Sequence, residues 1–250
     1  MTETQAGLGW LTARPIAHRG LHDMSKGIVE NTAAALAAAI AGGYAIECDL
    51  QISKDGEAVL FHDDMLDRVA ETSGPVKSFT LAELRRIKLW HTEESIPTLA
   101  EILKLVDSQV PLVIELKPQW DGDTTLAART IAVLKEYTGP HGLMSFDPDV
   151  IAAVRRMSPE TIRGMICDDA LHSSYDPLPA MVRRELRTMG FLRRTAPHFM
   201  SLDFHVLPWA PVAALRAAGR PVITWTIRSP EEAADALRYS DQITFEGFTA

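Results

Sequence analysis

Nine short apolar runs punctuate this chain, at residues 15–18, 44–50, 57–62, 111–117, 142–146, 162–167, 199–203, 221–227 and 242–245. Amphipathic stretches separate most of them, at 98–107, 125–136, 148–157, 208–218 and 230–239. A short apolar run has the length of a buried strand, and the stretches between repeat their apolar residues at helical spacing. Alternating strand and helix leaves few architectures open, because the strands must pair in parallel and the helices must cover the sheet. The pattern predicts an α/β protein with a parallel sheet inside and helices outside.

Nine runs are one too many for an eight-stranded barrel, and the surplus can be identified. "QISKDGEAVLF" carries Asp55-Gly56 between two extended stretches, a hairpin signal that makes its flanks antiparallel. Run 57–62 is therefore not a barrel strand. The other eight fit a (β/α)8 barrel. Roughly residues 51–97, with the turn-rich "SGPVKS" and a short helix at 80–88, read as an insertion over its mouth after the second strand. Asn31 or Thr32 is placed to cap the first helix and Gly42-Gly43 to end it. No internal repeat or linker divides the 250 residues, which are read as one domain. The residues after Phe245 leave no room for an eighth outer helix. Residues 1–13, with Trp10 and Leu11, are expected to cover apolar surface at the barrel's other end.

The formal charge is −8, without a basic patch, which excludes nucleic acid as a partner class. Two cysteines, Cys48 and Cys167, lie far apart, so no disulfide framework is indicated and a reducing compartment suits the chain. "MTETQAGLGWLTARP" lacks the basic start of a secretory signal. The alanine-rich "NTAAALAAAIAGGYAI" is too short to span a bilayer. The expectation is a cytoplasmic protein without stable membrane insertion that acts on a small molecule. Nothing in the sequence sets its oligomeric state.

Chemistry concentrates at strand ends. In "AIECDL", Ile46, Cys48 and Leu50 face the helix layer, so Glu47 and Asp49 face the barrel interior. In "PLVIELKP", Leu112, Ile114 and Leu116 face outward while Val113, Glu115 and Lys117 face inward. Three carboxylates thus enter one interior, at a high cost unless a cation joins them. An all-oxygen donor set points to a hard divalent ion, Mg2+ or Ca2+. The alternative is an ion-pair network in which Lys117 and Arg19 neutralise part of the charge. The first run ends on His18-Arg19-Gly20, and the hairpin's return run ends on His62. The two histidines are expected to face each other over the acids, with Arg19, aided by Lys117, as a phosphate clamp. Two histidines, a hard cation and basic groups describe phosphoester cleavage.

These residues resemble the glycerophosphodiester phosphodiesterase family. The matching positions are His18-Arg19-Gly20, Glu30-Asn31-Thr32, Glu47-x-Asp49, Asp55-Gly56, "AVLFHD" with His62-Asp63, Leu66-x-Arg68, Gly74-x-Val76, Thr80-x-x-Glu83-Leu84, "IPTL" at 96–99, Ile114-Glu115-x-Lys117, "SFDPDV" at 145–150 and "WTI" at 225–227. The resemblance runs from about residue 14 to 229, and its specificity lies in the order and spacing of many short motifs. It implies a TIM barrel with a small insertion after the second strand. It also implies hydrolysis of glycerophosphodiesters to glycerol 3-phosphate and an alcohol. His18 and His62 resemble the family's acid/base pair, Glu47, Asp49 and Glu115 its metal ligands, and Arg19 and Lys117 its phosphate-contacting positions. Trp225 matches an aromatic residue of the substrate pocket; as a residue it reads equally as barrel filler. Glu30 and Asn31 either orient His18 or Arg19 or open the first helix. Ser145, His141, Asp203, His205, His172 and His198 form no constellation and read as structural or solvent residues. A lyase of the phospholipase C/D-like type, stopping at a cyclic phosphate, and a non-catalytic phospholigand-binding barrel are the alternatives. The chain departs from the family at its end, where Thr244-Phe245-Glu246-Gly247 stands in place of a Thr-Asp-x-Pro-like stretch and a helix. Glu246 takes the place of the usual aspartate.

Overall fold

The structure, a computed structural model, describes residues 7–250. Among these, the strands are β1 (Ile16–Ala17), β2 (Ala45–Ile52), β3 (Ala58–Leu60), β4 (Leu112–Leu116), β5 (His141–Ser145), β6 (Arg163–Cys167), β7 (Phe199–Asp203), β8 (Val222–Ile227) and β9 (Gln242–Phe245). Parallel pairing runs β1-β9-β8-β7-β6-β5-β4-β2, and β2 returns to β1, so the sheet closes into a barrel. β3 lies antiparallel on β2, with Leu50 opposite Leu60 and Ile52 opposite Ala58. Leu50 also pairs with Leu116 of β4, so β3 occupies the edge of β2 on the β1 side. That edge is free because β1 is two residues long and reaches only Ile46. Gly56 adopts φ +84° in the connecting turn, a conformation that suits glycine.

The helices are α1 (Gly9–Thr12), α2 (Ala33–Ala41), α3 (Leu81–Leu84), α4 (Leu99–Val106), α5 (Thr125–Leu134), α6 (Pro148–Met157), α7 (Ala180–Thr188), α8 (Leu192–Thr195), α9 (Ala210–Ala217) and α10 (Pro230–Ala236). Thr32, rather than Asn31, caps α2 by accepting from Ala35 N–H. Thr98 and Glu101 form a reciprocal capping box on α4, a device worth about 1 kcal/mol. The short helix read at 80–88 covers only Leu81–Leu84, opened by Thr80. α7 and α8 are not among the segments read as helices from the sequence. Within α7 only Leu186 is buried, so its apolar stripe is thin.

Side-chain alternation sorts the layers as expected. Ile46, Cys48, Leu50, Leu112, Ile114 and Leu116 pack with Leu99, Ile102 and Val106 of α4 in the outer layer. Ile16, Ala45, Val113, Ile166, Phe199 and Ile223 fill the barrel's lower interior together with Leu11. Trp10 packs against the same group, so α1 covers that end; residues 1–6 lie outside the described residues. Gly164 makes room for Phe199, since a Cβ there would sit 2.4 Å from its ring. Val59, Phe61, Leu66, Val76, Leu84 and Ile96 form a separate small cluster beneath the residues between β2 and β4. After β9 the described residues contain no helix; Phe248 meets Phe245 edge to face, and Tyr44 O–H donates to Ala250 O. No helix among the described residues is long and apolar enough to cross a membrane.

Candidate active site

The turn after β1 explains why His18-Arg19-Gly20 stand together. Arg19 and Gly20 both adopt left-handed backbone, with φ +55° and +77°. That conformation costs a residue with a Cβ about 1–2 kcal/mol. Here it aims the Arg19 N–H at Glu47 Oε2, 3.0 Å away, satisfying a buried acceptor and so offsetting the strain. Glycine is required at 20 because a Cβ would meet Ala35 at 2.8 Å.

Glu47, Asp49 and Glu115 are all buried, and each offers one oxygen within 4.8 Å of the others. Lys117 Nζ stands 2.9 Å from Glu115 Oε1 and 3.5 Å from Asp49 Oδ1, and Arg19 Nε stands 3.5 Å from Asp49 Oδ2. The ion-pair network read as an alternative is thus partly present, yet it sets two cations against three carboxylates. Burial, reinforced by Asp49 and Glu115, pushes the Glu47 carboxyl well above its ordinary range. Burial likewise raises Glu115. Burial also acts to raise Asp49, but Lys117, His62 and Arg19 together outweigh it and hold Asp49 below the usual range. The protein alone therefore does not stabilise three full charges here. A divalent cation with oxygen ligands fits this donor set and supplies the missing charge.

Each histidine has its Nδ1 on a carboxylate. His18 Nδ1 lies 2.6 Å from Glu246 Oε2, and His18 Nε2 lies 4.0 Å from Glu47 Oε2. Burial lowers the His18 pKa, and the Glu246 bond offsets part of that shift. β3 ends at Leu60, and Phe61 N–H then donates to Asp49 O at 3.1 Å, which draws the next residue, His62, alongside the acids. His62 Nδ1 is bonded to Asp63 Oδ1 at 2.5 Å. Arg68 Nε donates to Asp63 Oδ2, and the two Arg68 terminal nitrogens donate to Glu30. Glu30 also accepts from Arg19 Nη1 at 2.7 Å. The chain His62–Asp63–Arg68–Glu30–Arg19 thereby links one histidine to the candidate phosphate clamp. A carboxylate only accepts, so each Nδ1 carries the proton and each Nε2 is left for other work.

A cavity of about 400 Å³ opens at the strand ends, lined by His18, Arg19, His62, Lys117, Trp225 and others including Glu47 and Glu115. Of the candidate site residues, His18, Arg19, Glu47, His62, Glu115, Lys117 and Trp225 line this cavity, and Asp49 completes the acidic cluster with Glu47 and Glu115. Trp225 has two kinds of neighbour. It lines the cavity, and it also packs on the interior layer, edge to face with Phe146 at 5.6 Å.

The sequence pattern of the Glycerophosphoryl diester phosphodiesterase family matches residues 18–242. A glycerophosphodiester phosphodiesterase of Caldanaerobacter subterraneus subsp. tengcongensis is 34% identical over 227 residues, covering 87% of this chain and 86% of that one. The chain belongs to this family. Among solved structures, a phosphodiesterase of Oleispira antarctica, in complex with the product sn-glycerol-3-phosphate, superposes with a TM-score of 0.79 at 26% identity, over 96% of this chain and 95% of that one. A glycerophosphodiester phosphodiesterase of Thermotoga maritima shares the fold, with a TM-score of 0.71 at 22% identity over 92% of each chain.

Within this phosphodiesterase fold, several cavity residues escaped the sequence reading. Arg68 appeared only as part of a motif, and its link to Glu30, 38 positions away, has no local signal. His22, Arg228 and Ser201 also line the cavity. Ser201 sits on β7 with its hydroxyl buried and unpartnered; inward alternation along "FMSLD" was the signal available for it. Glu30 and Asn31 do more than open α2. Glu30 joins two arginines, and Asn31 bonds Asp49.

Proposed function

We propose that this chain hydrolyses glycerophosphodiesters to glycerol 3-phosphate and an alcohol, as a phosphoric diester hydrolase. One observation carries the reading: a buried three-carboxylate cluster and two carboxylate-held histidines share one cavity in a member of this family. A divalent cation, Mg2+ or Ca2+, held by Glu47, Asp49 and Glu115, would supply Lewis-acid stabilisation of phosphate charge. Arg19 keeps N–H groups beyond those given to Glu30 and, with Lys117, adds positive charge for the phosphate. His18 and His62 act as the acid/base pair through Nε2: one takes a proton from the attacking hydroxyl and the other protonates the departing alcohol. Trp225 forms an apolar wall for the glycerol unit.

The nucleophile in this reading is the substrate's own hydroxyl beside the phosphoester. Each histidine's Nδ1 partner is a carboxylate rather than a serine or cysteine. An intramolecular hydroxyl also has an effective molarity that water cannot match. Attack would give a cyclic phosphate that water then opens. A diester lacking that hydroxyl is expected to bind but scarcely react; equal kcat for the 2-deoxy analogue and its parent would make water the direct nucleophile.

The reading takes residues 1–250 as one catalytic domain, with residues from about 51 to 97 beside the mouth. It places the reaction in the cytoplasm, supported by two buried free thiols, Cys48 and Cys167. Turnover of a panel of glycerophosphodiesters with and without chelator tests it: metal-dependent release of glycerol 3-phosphate is expected, and full activity in excess chelator would remove the metal from the account.

A further inference from the structure

The ends of three neighbouring strands bring three charged side chains into one row. β9 and β1 pair with Thr244 opposite Ile16 and Phe245 opposite Ala17. The next residues, Glu246 and His18, therefore emerge side by side, and His18 N–H donates to Phe245 O at 2.9 Å. On the other flank Phe245 is opposite Ile227 of β8, so Arg228 emerges beside Glu246, whose N–H donates to Ile227 O at 3.0 Å. Gly247 then turns the chain away with φ +78°.

Glu246 uses both its oxygens. Oε1 is paired with Arg228 Nη2 at 2.7 Å, and Oε2 is bonded to His18 Nδ1 at 2.6 Å. His22 Nε2 lies 3.6 Å from the same Oε2, too far for a direct bond. The carboxylate is largely buried, and although burial acts to raise its pKa, the bond to His18, the nearby His22 and the Arg228 charge hold it ionised far below the ordinary range. Arg228 anchors one oxygen and leaves the other a single strong acceptor aimed at the His18 ring.

Resting on the function proposed above, we infer that Glu246 is the positioning residue of His18. It fixes the imidazole with Nδ1 protonated and turns Nε2 toward the cavity, where Glu47 Oε2 lies 4.0 Å away. Without an acceptor at Nδ1 the ring is free to take the other tautomer or to rotate, and Nε2 is no longer held in the protonation state and direction that proton transfer requires. Arg228 acts one bond further out by fixing the carboxylate plane.

The test is a double-mutant cycle with a spectroscopic arm, on the full chain with Mg2+. Glu246→Gln is expected to lower kcat by about 10- to 10³-fold, less than the loss of His18 itself, with KM changed little. In a His18→Ala background the same substitution is expected to change kcat less than about twofold, because its only route to the reaction is gone. Glu246→Asp, which keeps the carboxylate, is expected to recover part of the loss. In 15N-histidine-labelled protein, His18 is expected as the Nδ1–H tautomer with a downfield proton, lost in Glu246→Gln while the His62 signal stays. Equal kcat losses in the wild-type and His18→Ala backgrounds, or a His18 tautomer indifferent to Glu246→Gln, would overturn the inference. The spectroscopic arm needs no substrate. A protein that shows the His18–Glu246 signature yet cleaves no glycerophosphodiester would refute the proposed function and leave this pairing standing.

Discussion

Asn31 and Asp49 grip each other twice. Asn31 Nδ2 donates to Asp49 Oδ2 at 2.9 Å, and Asp49 N–H donates to Asn31 Oδ1 at 3.1 Å. Asn31 can do this because its backbone is left-handed, φ +57°, a conformation asparagine tolerates better than most residues. The pair ties the turn before α2 to β2 and orients one oxygen of the acidic cluster. Asn31→Gly removes the side chain without straining the backbone. It is expected to weaken divalent-ion binding by about 10–100-fold, the usual size of an outer-sphere loss. Calorimetric titration with Mg2+ or Ca2+ checks this, and an unchanged affinity would mean that Asp49 needs no such support.

Ion binding should also move protons. Glu47 and Glu115 sit above the ordinary carboxylate range in the protein alone, whereas ligands must be deprotonated. Uptake of Mg2+ or Ca2+ is therefore expected to release protons, and affinity should fall as pH falls. Heats measured in two buffers of different ionisation enthalpy report the number released. Glu47→Gln should abolish most of the release and weaken binding sharply. Binding with no proton release would show that the acids are already ionised together.

What was legible in the sequence, and what was not, follows from distance along the chain. Glu47, Asp49 and Glu115 were legible because alternation within "AIECDL" and "PLVIEL" sets which side chains face inward. The hairpin was legible from Asp55-Gly56, although β3 is shorter than the run that announced it. The partners of those side chains were less so. Glu246 lies 228 positions from His18, and only closure of the barrel between β9 and β1 makes them neighbours. In the sequence Lys117 and Arg19 suit a phosphate clamp; the folded chain also pairs them with Glu115, Asp49 and Glu30. α7 was missed because arginines occupy much of its surface and only Leu186 is buried.

His18→Ala and His62→Ala are each expected to lower kcat by about two to four orders of magnitude, the scale of a general acid or base. Ion affinity should barely change in either, since neither imidazole belongs to the carboxylate cluster. Steady-state kinetics beside calorimetry separates the two effects, and a variant with near-normal kcat would return that histidine to a structural role.

A histidine outside the site should shape stability. His198 Nδ1 accepts from Arg163 N–H at 3.1 Å, which requires an unprotonated Nδ1. Burial first, then the Arg163 and Arg220 charges, lower its pKa to about 4. Between about pH 4 and the unfolded value near 6.5, the unfolded chain binds a proton that the folded chain refuses. Stability is therefore lost as pH falls through this window, by at most one proton's worth of slope. His198→Gln keeps an acceptor but cannot titrate, so its denaturation midpoint should depend less steeply on pH between 6.5 and 4. Identical slopes for the two proteins would rule His198 out as the cause.

The direction of bond cleavage tests the central claim most directly. Phosphorus NMR of glycerophosphocholine incubated with the protein and Mg2+ or Ca2+ distinguishes the two possible phosphomonoesters by chemical shift. The account predicts glycerol 3-phosphate with free choline, a transient cyclic phosphate before it, and neither product in excess chelator. Phosphocholine with free glycerol, or an unchanged diester across a panel of glycerophosphodiesters in the presence of metal, would contradict it.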